Sequence, residues 1–414
     1  MSNNTTFGSE GNITVPEQES NVPCGPPPGW TGPPPPGVYA NAANSLMKII
    51  PPIIILVGTF GNTLTVIVLF RQMRKLSSTA MFLLALAFSD NLFLFNAPLR
   101  RWIIAVWNED IRHRSEIGCK FSVYLTYTSS QFSSWTLVAV TVERLVSVVW
   151  PHRVRLDCTP RISCIFITVI FLIVFGLNTH IFYGFGQSSL PVYIGQGFCE
   201  PIYEGYRTFW TKTYAWIDFT VVYAVPFGIL AVANSVIVYY LRKTNAERER
   251  MSDRSNTTET KMVTIMLVLL SIVFFLCLTP VSIYFIYLPY WAEDNFQWLC
   301  INVYEYIRLS EITHFVFVIT NLLGYVNASF NFVLYIISGS KYRSEIKALL
   351  LCRPSAKAGV FGGSSSSSQR RTIYSSVSTV RAYRGKSQTD VGMEGDGDQK
   401  GECECPPLGS ANHI

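Results

Sequence analysis

A few charged and amide side chains stand in stretches otherwise suited to lipid. Asp90 lies in LALAFSDNLFL, Asn62 in VGTFGNTLTV, and Asn327 and Asn331 in GYVNASFNFVLY. A charge near the centre of a membrane helix costs at least about 2.5 kcal/mol on insertion scales, so each asks for a partner or a task. Two tasks suit this set. Buried amides bond across helix interfaces. Alternatively, Asp90 with Ser133, Asn327 and Asn331 holds a hydrated cation, and the bare carboxylate favours this chemistry. Glu143 and Arg144 adjoin near the end of another run, as a snorkelling pair or a local charge lock. Asp218 stands eight residues before Pro226, placed to pair with an Arg or to contact a ligand.

The elements that must position these groups follow from composition. Of 414 residues only 14% are charged, against about 25% in ordinary soluble domains, while 49% are hydrophobic and 14% aromatic. Mean hydropathy is +0.27. Such a chain cannot cover soluble cores with a polar surface, and it is too apolar for general disorder. A bilayer core needs roughly 20 apolar residues as helix. Seven runs qualify: 49–70, 79–99, 120–148, 162–183, 214–241, 262–286 and 312–335. Backbone satisfaction in lipid makes them helices, and none alternates as the strands of a membrane barrel do. The predicted fold is an all-α membrane protein, a bundle of seven transmembrane helices with a short amphipathic eighth.

Four domains are expected: a polar, Pro-rich tail over 1–46, the membrane domain over 47–339, an amphipathic surface helix over 340–353, and a Ser/Thr-rich disordered tail over 354–414. The first tail lacks the basic-then-apolar layout of a cleaved signal peptide, so the first span serves as an uncleaved anchor. Glycosylation sequons at Asn3, Asn4 and Asn12 place it outside. Arg71, Arg74 and Lys75, then Arg153, Arg155 and Arg161, then Arg242, Lys243, Arg248, Arg250 and Arg254 obey the positive-inside rule. Arg100, Arg101, Arg112 and Arg114 break it, since they would lie outside. In the surface helix, Tyr342, Ile346, Leu349 and Leu350 share the apolar face, with Lys341, Arg343, Glu345 and Lys347 turned away. Cys352 follows, where palmitoylation would add an anchor.

Cys119 and Arg144 are 25 residues apart, roughly 37 Å of helix, enough to cross the membrane. Cys119 therefore lies at the outer rim and Arg144 at the inner. Cys199 precedes the fifth span, also outside, where a Cys119–Cys199 disulfide would tie helix to loop. Cys24 and Cys300 are both outside, either paired or with Cys24 free. Basic residues are too dispersed for a nucleic-acid face. The absence of a phosphate loop, an HExxH and a nucleophile elbow argues against an enzyme. A transporter or channel remains the rival class, weakened by the lack of a repeat between the halves.

Together these residues resemble the rhodopsin-like (class A) G-protein-coupled receptors over about residues 45–353. The resemblance rests on Gly61–Asn62, LAFSD ending at Asp90, Cys119, Glu143–Arg144–Leu145 in place of DRY, Pro151, Pro226, Phe274 and Pro280 in FFLCLTP, and NFVLY from Asn331 to Tyr335 in place of NPxxY. The family implies that Arg144 holds the inactive state and then contacts a heterotrimeric G protein, and that Tyr335 swings inward. It implies that Asp90, Ser133, Asn327 and Asn331 form an allosteric sodium pocket, with no other cofactor. It also implies arrestin and a receptor kinase acting on the phosphorylated tail, at the plasma membrane. This chain departs from the pattern at Leu278, where an aromatic is usual, at Phe332, which replaces the NPxxY proline, and at Asn234, where Tyr is frequent.

Thr126 stands where amine receptors of the family carry Asp, and Tyr325 where opsins carry the retinal Lys. The remaining polar lining is Arg101, Thr126, Gln131, Asp218, Tyr284, Arg308, Glu311 and His314. Charges among many Tyr and Trp suit a peptide, and the texture looks like invertebrate-type neuropeptide receptors. A short amidated peptide is expected, with Asp218 or Glu311 receiving a cationic side chain. A non-peptide or orphan receptor of the same family is the alternative.

Overall fold

A computed structural model describes residues 34–71, 77–150, 159–188, 198–250, 258–338 and 340–351. Among the described residues, seven helices are long and apolar enough to cross a membrane. They are α1 (Val38–Arg71), α2 (Ser78–Trp107), α3 (Glu116–Val149), α4 (Pro160–Gly184), α5 (204–250), α6 (Thr258–Ile301) and α7 (Val303–Ser338). An eighth, α8 (Ser340–Leu350), follows directly. Large apolar side chains such as Leu56, Phe60, Ile165, Phe166 and Val232 stand exposed around the bundle. Only hydrocarbon makes that surface stable.

The helices run several residues past the apolar stretches. Polar and aromatic residues carry them out of the hydrocarbon, where length is no longer read from hydropathy. Local chemistry sets several ends. Ser77 accepts a bond from the Ala80 amide at the start of α2, Ser115 from Gly118 at α3, and Thr159 from Ile162 at α4, where Pro160 follows. Each caps an orphan N–H of the first turn. Asn108 ends α2 in the left-handed region (φ 53°), a conformation that Asn tolerates.

Between α4 and α5, β1 (Phe185–Ser188) pairs antiparallel with β2 (Phe198–Pro201), Gln187 facing Cys199. Cys199 is bonded to Cys119 in the first turns of α3. This hairpin marks one end of the bundle, the disulfide end. Arg144 lies at the opposite end of α3. Buried apolar residues form one core around Leu83, Leu137, Leu230, Met266 and Phe274, and another where α1, α2 and α7 meet at Leu94, Val318 and Tyr325.

The missing proline leaves the course of α7 open, and one expectation, about α8, needs correction. α7 continues unbroken through Asn331 and Phe332. Phe332 packs instead against Gly61 of α1, where a Cβ would lie 1.9 Å from its ring. In α8, Glu345 does not turn away: it is buried at 2% exposure, on the same face as the fully buried Tyr342. Positions i and i+3 share a helix face, so docking Tyr342, whose hydroxyl lies 2.9 Å from Thr65 Oγ1 in α1, brings Glu345 in with it. Burial pushes the Tyr342 phenol above its ordinary range, opposed by that bond.

Candidate functional site

α2, α3, α5, α6 and α7 enclose a cavity of about 310 Å³ water-accessible volume, reaching from Phe185 of β1 down to Asp90 and Asn327. At its floor Ser133 Oγ donates to Asp90 Oδ1 at 2.7 Å, and Asn331 Nδ2 donates to Oδ2. Asn327 lines the same space. The four residues of the expected cation pocket thus come together. Asn62 spends its amide differently, donating to the Ala328 carbonyl at 3.1 Å, the helix-to-helix use.

Higher in the cavity, Arg101, Thr126 and Asp218 line the wall. Thr126 is engaged by α2, its hydroxyl accepting from Asn96 Nδ2 at 2.7 Å. Asp218 makes no ion pair among the described residues. Its Oδ1 accepts from Gln131 Nε2 at 3.0 Å, and Gln131 Oε1 accepts from Asn178 Nδ2 at 2.7 Å. Tyr214 closes the set by donating to Asn178 Oδ1 at 2.5 Å. This buried cluster across α3, α4 and α5 aims one carboxylate at the cavity. Asp218 lies between two wide-wound stretches of α5, Phe209–Tyr214 and Phe219–Ala224, and such π-helical turns concentrate at functional sites. Nothing in the sequence signals them.

Five expected lining residues do not line the cavity. Gln131 is fully buried behind Asp218. Arg308 is exposed and pairs with Glu305 on its own helix at 3.4 Å. Glu311 accepts the Gly37 amide at 2.8 Å, tying the approach to α1 onto α7. Tyr284 and His314 pack on Phe317, with centroids 5.6 and 6.1 Å away, and it is Phe317 that faces the cavity. A helix rotates its faces by about 100° per residue, so residues one position apart go to different neighbours.

Three of the four Arg residues that break the positive-inside pattern are paired with carboxylates. Asp110, between α2 and α3, receives Arg100 Nη1 at 3.1 Å and Arg112 Nη2 at 2.7 Å. Arg114 pairs with Glu109 at 2.7 Å. Burial raises the Asp110 carboxyl, but the Arg112 bonds and the Arg100 charge more than offset it and hold it down at about 2. Sequence reasoning missed Asp110, although a lone Asp among four Arg was the available signal.

At the opposite end, Thr79 of α2 bridges the charge pair of α3. Its hydroxyl donates to Glu143 Oε2 and accepts from Arg144 Nη2, both at 2.6 Å, while Arg144 Nε lies 3.6 Å from Glu143. Phe274 is buried and stacked on Tyr223, and the Tyr223 hydroxyl bonds Thr279 beside Pro280. Asn234 donates to Ser271 Oγ at 2.7 Å, joining α5 to α6. The Tyr335 and Cys300 side chains lie outside the described residues, as do Asn3, Asn4, Asn12, Cys24, Pro151 and Cys352.

Seven spans, a disulfide from α3 to the hairpin before α5, and an Arg at the far end of α3 define a class of membrane receptor. Residues 61–335 match the family "7 transmembrane receptor (rhodopsin family)". The chain belongs to that family and is a class A G-protein-coupled receptor, which sets aside the transporter and channel reading. It is similar to neuromedin-U receptor 2 of Rattus norvegicus, 25% identical over 71% of this chain and 72% of the relative. It is also similar to the FMRFamide receptor of Drosophila melanogaster, 28% identical over 69% of this chain and 50% of that protein. A third relative, cysteinyl leukotriene receptor 2 of Homo sapiens, is 25% identical over 75% of this chain and 83% of the relative.

Proposed function

We propose that this receptor binds a short extracellular peptide at its disulfide end and activates a heterotrimeric G protein at the other. The disulfide end faces outside and α8 lies on the cytoplasmic surface of the plasma membrane. The observation that carries the reading is the cavity, lined by Arg101 of α2, Arg112 of the turn between α2 and α3, and Asp218 of α5. Opposite charges set apart in one pocket of mixed polar and aromatic lining suit a ligand with several polar groups in fixed order. At about 310 Å³ the cavity lies at the low end of ligand pockets, roughly 300 to 1,000 Å³. It takes the end of a peptide and leaves the rest to the hairpin. The peptide receptors among the relatives support this.

Activation is a population shift, and only differential affinity of the ligand for the two states can drive it. The Thr79–Glu143–Arg144 set favours the resting state, and α6, carrying Pro280, opens beside it. Asp90 and Ser133, with Asn327 lining the same space, offer oxygen donors that suit a hard cation such as sodium. Such an ion would hold α2, α3 and α7 together in the resting state. The receptor carries out no catalytic step. Its Ser/Thr tail would be phosphorylated by a receptor kinase and recruit arrestin.

A reporter screen of amidated peptides on cells expressing the receptor tests the reading. Activators should lose about tenfold potency, about 1.4 kcal/mol, at Asp218→Asn. Silence across a broad library, with the receptor confirmed at the surface, overturns it. A non-peptide ligand is the second reading, favoured by the likeness to cysteinyl leukotriene receptor 2.

A further inference from the structure

Apart from Arg101, the charged groups that line the cavity each have a protein partner among the described residues. Arg100 and Arg112 share Asp110, Asp218 takes the Gln131 amide, Asp90 takes Ser133 and Asn331, and Thr126 takes Asn96. Arg101 differs. It makes no hydrogen bond or ion pair among the described residues; its guanidinium lies 4.6 Å from the centroid of the Phe317 ring and faces the cavity. A ring face satisfies none of the five N–H donors. Asp110 is already shared by two guanidiniums, so Arg100, Arg101 and Arg112 outnumber their carboxylates on this wall. A guanidinium that lines a water-accessible cavity with no donor spent on the protein can pair with an anion that displaces water.

We infer that Arg101 is the anchor for a carboxylate on the ligand. This rests on the peptide reading above and names the chemistry it requires. The ligand presents a carboxylate to Arg101 and a donor to Asp218, so the peptide is dipolar rather than simply cationic. An acidic side chain and a free C-terminus supply the same group. The planar fork of the guanidinium accepts either in a bidentate pair, and Phe317 holds the fork in place beneath it.

The test uses synthetic peptides made in matched forms, each with a free C-terminal carboxylate and as the amide, and each with Asp or Glu and with Asn or Gln at its acidic positions. Signalling is read at wild type, Arg101→Gln and Arg101→Lys, with surface receptor quantified by antibody. Every activating peptide should carry a carboxylate, and neutralising it should lower potency about 30-fold at wild type. Which substitution does so identifies side chain or terminus. Arg101→Gln should cost a similar factor for the acid form and add nothing for the neutral form, while Arg101→Lys keeps part of the gain. Should Arg101→Gln fail to reach the surface, the matched peptides at wild type and Arg101→Lys decide alone. Potent activators without any carboxylate, or equal losses for acid and neutral forms at Arg101→Gln, overturn the inference and leave the peptide reading standing. Silence of all forms at surface-confirmed wild type overturns both.

Discussion

The two ends of the bundle use the same residue types to opposite effect. At the disulfide end, buried charges are turned inward on a cavity: Arg101 and Asp218 face open space, with Asp110 and Gln131 behind holding the wall in shape. At the far end, charges are spent between helices, with Thr79 joining α2 to both Glu143 and Arg144 of α3. The first arrangement waits for a partner from outside the chain, and the second keeps the chain closed on itself. A receptor needs both. An end with unspent donors gains free energy on binding, and an end with satisfied contacts gives that free energy something to break.

The largest effect should come from Asp110→Asn. It leaves the buried Arg100 and the partly buried Arg112 without their carboxylate, and breaking a buried set costs up to roughly 3–5 kcal/mol. Thermal unfolding of the purified receptor and its surface level would both fall. The carboxyl, at about 2, sits below its ordinary 3.8. Its contribution is therefore complete above pH 3.8 and is lost as pH falls through about 2. Loss of this contribution at pH 5 to 6 would show the wall is held by something else.

Next comes Gly61→Ala, which drives a methyl into the Phe332 ring. Overpacking of this kind costs about 1–3 kcal/mol. The double variant with Phe332→Leu should recover most of that stability, and its failure to do so would move the strain elsewhere. The smallest effect is expected at Glu311→Gln. The amide oxygen can still accept the Gly37 N–H, so the change in stability should stay under about 1 kcal/mol. Peptide potency should shift less than twofold, in contrast to Asp218→Asn. Equal losses at the two sites would return Glu311 to the ligand.

Much of this was legible in the sequence. Seven spans are legible because lipid demands about 20 apolar residues each, and Asp90 stands out because lipid penalises it. The Cys119–Cys199 bond is legible because helix length puts Cys119 at the rim where Cys199 also falls, although Cys24 and Cys300 are expected outside as well. What stayed hidden depends on neighbours distant in sequence. Thr79 reads as an ordinary Thr until α2 places it between Glu143 and Arg144. Gly61 reads as a motif residue until Phe332 arrives against it. Gln131 reads as cavity lining, yet it turns to Asn178 and Tyr214. Glu345 reads as exposed because its charge suggests so, while docking of Tyr342 sets its face. Helical periodicity assigns faces but not which neighbour each face meets.

Coupling of the two ends is the central claim, and Glu143→Gln tests it most directly. Basal signalling and agonist affinity are measured on the same cells at matched surface receptor. The account predicts that both rise, basal signalling several-fold and affinity alongside it, because freeing Arg144 and Thr79 enlarges the active population that agonist prefers. Basal signalling that stays at the wild-type level with agonist affinity unchanged would contradict it.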